Sequence, residues 1–220
     1  MVAKRNNSAM ALIGVILSIS MGSPLFAEES GGVKDGFYLE ALLAYNAMSG
    51  DFDDSGFLVS PFAIYDVPDV DSGMGFGLVA GFRQDRYPIE FGYQRTTHDT
   101  HSSFVDVADS TAFYNVFDMN LKVDVVRREQ FRPYVLVGFG FPWLTIEDSS
   151  TSGGPLEDET FWGFDVDVGA GVAYYFSPRW AVMGGLIYRW NWFASVEDDS
   201  IDDSLLESAL GFTLGVAFTF

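Results

Sequence analysis

Gly211-Phe212-Thr213-Leu214-Gly215-Val216-Ala217-Phe218-Thr219-Phe220 alternates without a break. Phe212, Leu214, Val216, Phe218 and Phe220 are large and apolar, whereas Gly211, Thr213, Gly215, Ala217 and Thr219 are small or hydroxylic. Successive side chains of a strand point to opposite faces, so a period of two predicts a β-strand with one bulky and one slim face. A soluble barrel would turn the bulky face inward and set polar groups outside. Here the slim face suits a crowded interior, which leaves the bulky face to meet lipid.

The same alternation recurs seven times upstream. Phe37, Leu39, Ala41, Leu43 and Tyr45 share one face. Phe76, Leu78, Ala80 and Phe82 oppose Gly75, Gly77, Gly81 and Arg83, and Ile89, Phe91 and Tyr93 oppose Glu90, Gly92 and Gln94. The remaining segments run over Phe113–Asp124, Val135–Trp143, Phe164–Tyr174 and Trp180–Trp190. In each, the face that carries the charges also carries most of the glycines. Glycine weakens a strand unless something approaches it closely, and a narrow eight-stranded lumen is such a place. The expected fold is therefore all-β: an eight-stranded antiparallel up-and-down transmembrane β-barrel over residues 36–220.

Short and long connections alternate. The short ones are Asp85–Pro88, about Val125–Arg132 and Ser177–Arg179; the long ones are about Ser49–Ser72, Thr97–Ser110, Glu147–Thr160 and Ala194–Ser204. Short periplasmic turns and long external loops are the arrangement of outer-membrane barrels. Pro142 falls inside the fifth segment, where an unbroken ladder disfavours proline, so a bulge or a strand end is expected there, near the outer rim.

The N-terminus fits export. Lys4 and Arg5 precede an apolar run from Ala9 to Ser20, and Ser23–Ala27 offers a small residue for cleavage, the order of a secretory signal peptide. Residues 1–27 are read as that peptide and 28–35 as a short periplasmic segment. The chain has no cysteine, so a closed hydrogen-bonded sheet rather than disulfides must hold an exported domain together. Its net charge of −19 argues against nucleic acid as a partner.

Charge sorts by connection. The four long connections hold 19 Asp and Glu and no Lys or Arg, whereas Arg86, Arg127, Arg128, Arg132 and Arg179 lie in the short ones. An acidic outer crown presents carboxylate oxygens to Ca²⁺ or Mg²⁺. Asp51-x-Asp53-x-Ser55-Gly56 carries the first half of a calcium loop, although its twelfth position is Phe62 rather than Glu. Asp51, Asp53 and Ser55 are accordingly a candidate weak Ca²⁺ site; no other cofactor is expected.

Inside the barrel the few charges should pair, because a lone buried charge is costly. The Asp85–Pro88 turn sets Arg83 opposite Glu90, and the Ser177–Arg179 turn sets Asp167 opposite Arg189, with Glu40, Lys122 and Asp124 near the first pair.

Four stretches carry a family resemblance: Gly36-Phe37-Tyr38-Leu39; Pro133-Tyr134-Val135 with Gly138-Phe139-Gly140; Gly169–Tyr174 through Ser177-Pro178-Arg179-Trp180 to Tyr188-Arg189; and the ending in Phe220. Over roughly residues 35–220 the chain resembles the bacterial outer-membrane protein β-barrel domain family, the small eight-stranded group with OmpA-, OmpX- and OmpW-type barrels. The resemblance implies residence in the outer membrane, lipid and lipopolysaccharide as surroundings, a monomer, and folding by the outer-membrane assembly machinery. That machinery would read the terminal strand through Phe212, Leu214, Val216, Phe218 and Phe220.

Function is then expected to be non-enzymatic: a structural or surface-interaction role with a largely plugged lumen. The alternative is a narrow conduit for small, apolar molecules, as OmpW-type barrels are thought to be. A third reading, a lipid A-modifying enzyme, rests on His101-Ser102-Ser103, which resembles a fragment of the lipid A deacylase pattern, with Asp99 or Asp106 as the acid for a His101/Ser103 pair. A soluble ligand-binding barrel would need its bulky face inside.

Overall fold

The computed structural model describes residues 35–50, 56–60, 63–67, 69–101, 110–126, 130–149, 157–195 and 205–220. The expected signal peptide lies outside them, as do nearly all of residues 28–35. The strands in chain order are β1 (Gly36–Gly50), β2 (Gly56–Ser60), β3 (Ala63–Val67), β4 (Asp69–Val70), β5 (Gly73–Gln84), β6 (Tyr87–His101), β7 (Ser110–Asp124), β8 (Phe131–Ser149), β9 (Glu157–Tyr175), β10 (Trp180–Ser195) and β11 (Leu205–Thr219). No helix occurs among the described residues.

Eight long strands, β1 and β5 to β11, pair antiparallel with their sequence neighbours, and β11 returns to β1 from Tyr38↔Thr219 to Gly50↔Glu207. The sheet is thereby closed, as the sequence predicts, and no barrel strand is left with an unpaired edge. Closure matters because hydrocarbon offers no partner for a bare N–H or C=O. The short β2–β3 hairpin belongs to the first long connection.

Orientation follows the alternation. Phe212, Leu214, Val216 and Phe220 point outward and are exposed, and Phe218 is partly covered; Ala209, Ala217 and Thr219 face in and are buried. Outward side chains form an apolar band bounded by two aromatic girdles. Toward the short turns these include Phe37 on Phe82 (centroids 4.9 Å) and Trp180 on Phe218 (4.8 Å). Toward the long connections Trp143 stacks on Trp162 at 5.4 Å and Tyr188 meets Trp190 at 4.7 Å.

The strands run further than the sequence suggests. β8 and β9 are each 19 residues, against the roughly 9–11 that cross a bilayer. Beyond the outer girdle the alternation changes meaning. On β8 the outward positions pass from Phe139, Phe141 and Trp143 to Thr145 and Glu147, while the inward ones pass from Gly138 and Gly140 to Leu144 and Ile146. On β6 the outward Phe91 and Tyr93 give way to Arg95, Thr97 and Asp99. The barrel thus leaves the apolar band and becomes a water-facing barrel with a dry interior. Met48, Val70, Ala112, Tyr114, Val116, Leu144, Ile146, Phe161, Phe193 and Leu205 form that upper core. Residues 97–101, 147–149 and 157–160, expected as loop, are strand, and the outward Thr97, Asp99, Glu147 and Asp158 among them are polar.

Two local expectations are corrected. Pro142 neither ends β8 nor forms a bulge: it stays paired with Val116 on β7, and on the β9 side the ladder lapses only between Gly140↔Asp165 and Trp143↔Trp162, with register kept. A missing N–H removes a bond without shifting the strands. The irregularity comes later, between Ile146 and Ser149. The second correction concerns the β5–β6 turn. Asp85 adopts φ 58°, a left-handed conformation that Asp tolerates. The hairpin closes within two residues, so Gln84 faces Tyr87 and Arg83 stands opposite Pro88, not Glu90.

The apolar band predicts a depth-dependent cost. Leu214→Arg, in mid-band, should destabilise the barrel by about 2–4 kcal/mol, and Thr145→Arg above it by about 0–1 kcal/mol, measured by reversible urea unfolding in lipid vesicles.

Candidate functional site

The lumen is built from inward positions of all eight long strands, and its side chains lie in tiers. Nearest the short turns, Arg83 Nη1 donates to Asp124 Oδ2 at 2.6 Å, and Arg132 Nη1 reaches the same oxygen at 3.5 Å. Both guanidinium groups stand 5.5 Å from the Tyr175 ring centroid. In the next tier Lys122 Nζ lies 2.7 Å from Glu90 Oε1, which also accepts a hydrogen bond from the Tyr38 hydroxyl. Lys122 sits over the Tyr134 ring at 4.5 Å, and Glu40 is buried in the same region.

The third tier holds Asp167 and Arg189, directly opposite one another on β9 and β10 and both buried. Arg189 Nε is 3.3 Å from Asp167 Oδ1, a charge contact that is not aligned as a hydrogen bond. Asp165 lies two residues along the same face, also fully buried, and Asn120 Nδ2 donates to Asp118 Oδ1 at 2.6 Å. Higher still, Asn46 Nδ2 donates to Thr96 Oγ1 (3.2 Å), and Tyr114 donates to Asn191 Oδ1 (3.2 Å). Thr96 Oγ1 is 2.7 Å from His98 Nε2, whose Nδ1 is 2.7 Å from the Asp71 carbonyl oxygen. Those contacts place the imidazole proton on Nδ1, as donor to the carbonyl, with Thr96 donating to Nε2.

Seven inward charges singled out in the sequence, Arg83, Glu90, Asp167, Arg189, Glu40, Lys122 and Asp124, are all buried within the barrel. Asp167 and Arg189 keep the hairpin pairing expected of them, whereas the partners of Arg83 and Glu90 differ from it. Because the β5–β6 turn is tight, Arg83 meets Asp124 across the lumen, and Glu90 meets Lys122 on the adjoining β7. The sequence reading missed Arg132, Tyr38, Tyr134 and Tyr175. A signal for two of them was present: Tyr38 pairs with Gly81, and Tyr134 with Gly171. A Cβ at Gly81 would overlap the Tyr38 ring, and one at Gly171 would meet the Tyr134 hydroxyl. Each tyrosine lies flat across a neighbouring strand because nothing projects there.

Between the second and third tiers a cavity of about 30 Å³ touches Glu40, Glu90, Asp118, Lys122 and Arg189. That is room for about one water molecule.

The other sequence candidates fare unequally. Asp51, Asp53, Ser55 and Ser103 lie outside the described residues. His101 ends β6, its backbone paired with Asp69. Among the described residues no three His, Asp or Glu side chains gather as a metal-binding group.

Comparisons with known proteins agree with this architecture. The family model described as an outer membrane protein beta-barrel domain matches residues 13–220. Comparison with curated proteins finds no match. Among solved structures the chain is similar to the Neisserial surface protein A, 15% identical with a TM-score of 0.55, covering 84% of this chain and 97% of that one. It is similar to the outer membrane protein OprG from Pseudomonas aeruginosa, 13% identical with a TM-score of 0.52, covering 88% and 99%. The attachment invasion locus protein Ail of Yersinia pestis, in complex with the heparin analogue sucrose octasulfate, is 16% identical with a TM-score of 0.50, covering 85% and 100%. At these identities the likeness concerns the fold.

The buried pair on β9 and β10 is open to a direct test. Arg189→Met leaves Asp167 without its countercharge and should cost about 3–5 kcal/mol, whereas Arg189→Met with Asp167→Leu should recover most of that loss. Unfolding free energies of the wild type, both single variants and the double variant in vesicles give the coupling.

Proposed function

The chain belongs to the outer membrane protein beta-barrel domain family and resides in the bacterial outer membrane, and we propose that it works there as a non-enzymatic barrel with a closed lumen, stabilising the membrane and presenting an acidic outer surface. One observation carries the closed lumen: paired charges and tyrosines fill the lower barrel, and an apolar core fills the part above the membrane. An ion crossing would have to shed water against Leu144, Ile146, Phe161 and Phe193, all nearly inaccessible, beside buried Asn46, Thr96 and Asn191 whose polar groups bond one another or neighbouring side chains. A conduit for small apolar molecules, the rival drawn from the sequence, would require that core to part.

The outer surface supports the second half of the proposal. Asp99, Glu147 and Asp158 are exposed on the strand extensions that rise above the apolar band. Carboxylates at this height suit divalent cations, which bridge lipopolysaccharide phosphates. They repel sulfated polyanions such as the heparin analogue bound by Ail, so this barrel's surface partners are read as cationic or cation-bridged. Arg95, outward and stacked 4.2 Å over Phe113, sits at the upper edge of the band, where it meets the phosphate layer. The lipid A-modifying reading turns on Ser103, which lies outside the described residues, and on His101, of which the β6 backbone pairing with Asp69 is described.

In planar bilayers the purified barrel is expected to show no stepwise conductance, and proteoliposomes should take up neither ions nor an alkane-sized fluorescent probe faster than empty vesicles. Steady single-channel steps would remove the closed-lumen reading, and probe uptake alone would favour the apolar conduit.

A further inference from the structure

The outward face of β11, β1, β5 and β6 is not evenly bulky. A groove of about 510 Å³ lies there, within the roughly 300–1,000 Å³ of small-molecule sites. Ala41 and Ala80 lie at its floor; Phe91 and Phe117 stand on one side, Phe218 and Trp180 on the other. Trp180 pairs with Phe218, and Phe218 with Leu39, so one end of the groove lies beside the short turns, and the other reaches Phe117, 5.4 Å from Trp143. We propose that it holds an acyl chain of a phospholipid from the periplasmic leaflet, with the phosphate of that lipid against Arg179.

Three observations favour this occupant. First, the groove opens toward hydrocarbon, and an unfilled dent would forfeit the dispersion contacts of every side chain lining it. Water cannot fill it, because the lining offers too few polar partners. Second, short turns face the periplasm in this class of barrel, which opens the Trp180–Phe218 end of the groove to the phospholipid leaflet. Third, Arg179 directly precedes Trp180 at the rim. Its carbonyl accepts the Thr219 N–H at 2.8 Å, which fixes the backbone beside the groove, while its side chain is exposed. A guanidinium binds phosphate oxygens in a fork. A second copy of the chain fits less well. Two barrels packed at this face would bring the exposed Asp99 of β6 in each copy toward the other, on chains of net charge −19.

Trp180 supplies a native probe. Replacing Trp143, Trp162, Trp190 and Trp192 with Phe leaves it as the only tryptophan of the chain's five. The protein is loaded with an anionic phospholipid brominated in its acyl chain and then exchanged into detergent. The expected result is stoichiometric retained phospholipid and persistent quenching of Trp180. Ala80→Phe, which fills the groove from a lipid-facing position, should lower retained lipid by about tenfold, and Arg179→Gln by roughly threefold. Ala41→Phe serves as a second filling variant, and the mobility of unheated samples on gels verifies folding. The proposal is overturned if the wild type keeps no lipid, or if retention and quenching are unchanged in both Phe variants. It is equally overturned if sedimentation shows a dimer that Ala80→Phe dissolves, since a second copy would then fill the groove.

Discussion

Every backbone N–H and C=O that enters hydrocarbon must find its partner within the protein, and the whole barrel is organised by that requirement. A sheet meets it only by closing on itself, which β11 does against β1. Closure assigns each strand one face to the lumen and one to the surroundings. With eight strands the interior is narrow, so the inward side chains compete for space, and only glycine and side chains that lie flat can coexist. Tyr38 across Gly81 and Tyr134 across Gly171 are the clearest cases.

The same narrowness governs the charges. Arg83, Arg132 and Asp124 share one tier and Lys122 and Glu90 the next, each cation within reach of a carboxylate. Burying them costs solvation that mutual attraction only offsets; what they contribute is register, since a slip of one residue would turn them toward lipid. Above the membrane the interior has no such need. There an apolar core of Leu144, Ile146 and Phe161 lies beside a hydrogen-bonded set of Asn46, Thr96 and His98, and the outward face turns polar. One sheet thus crosses between two solvents, its β8–β9 ladder lapsing at Pro142 with the register kept.

Much of this was legible in the sequence. The alternation in β11 and β10 displays the lipid-facing side chains directly, and the charge sorting between short and long connections orients the barrel. Asp167 and Arg189 stand at the register their short hairpin implies. Four things were not legible. The outer extensions of β6, β8 and β9 lose their apolar outward residues, so a search for a greasy face stops at Tyr93, Trp143 and Trp162. Arg83 changes partner because Asp85 takes a left-handed conformation, and an Asp-Arg pair does not advertise a two-residue turn. Pro142 was taken to break the ladder, but a closed barrel clamps a strand from both sides and holds register over one missing bond. Arg132 and Asp124 flank one short connection, but Arg83 reaches the same carboxylate from two strands away, and that meeting needs the barrel's curvature rather than any local pattern.

The central claim, one sheet serving lipid below the outer girdle and water above it, is tested most directly along β8. Spin labels placed singly from Val135 to Glu147 in vesicles, read for collision with oxygen and with a water-soluble nickel complex, report the surroundings of each position. Odd positions through Trp143 should favour oxygen, Thr145 and Glu147 should favour nickel, and Leu144 and Ile146 should be shielded from both. Nickel access at Leu144 and Ile146, or oxygen preference at Glu147, would contradict the account.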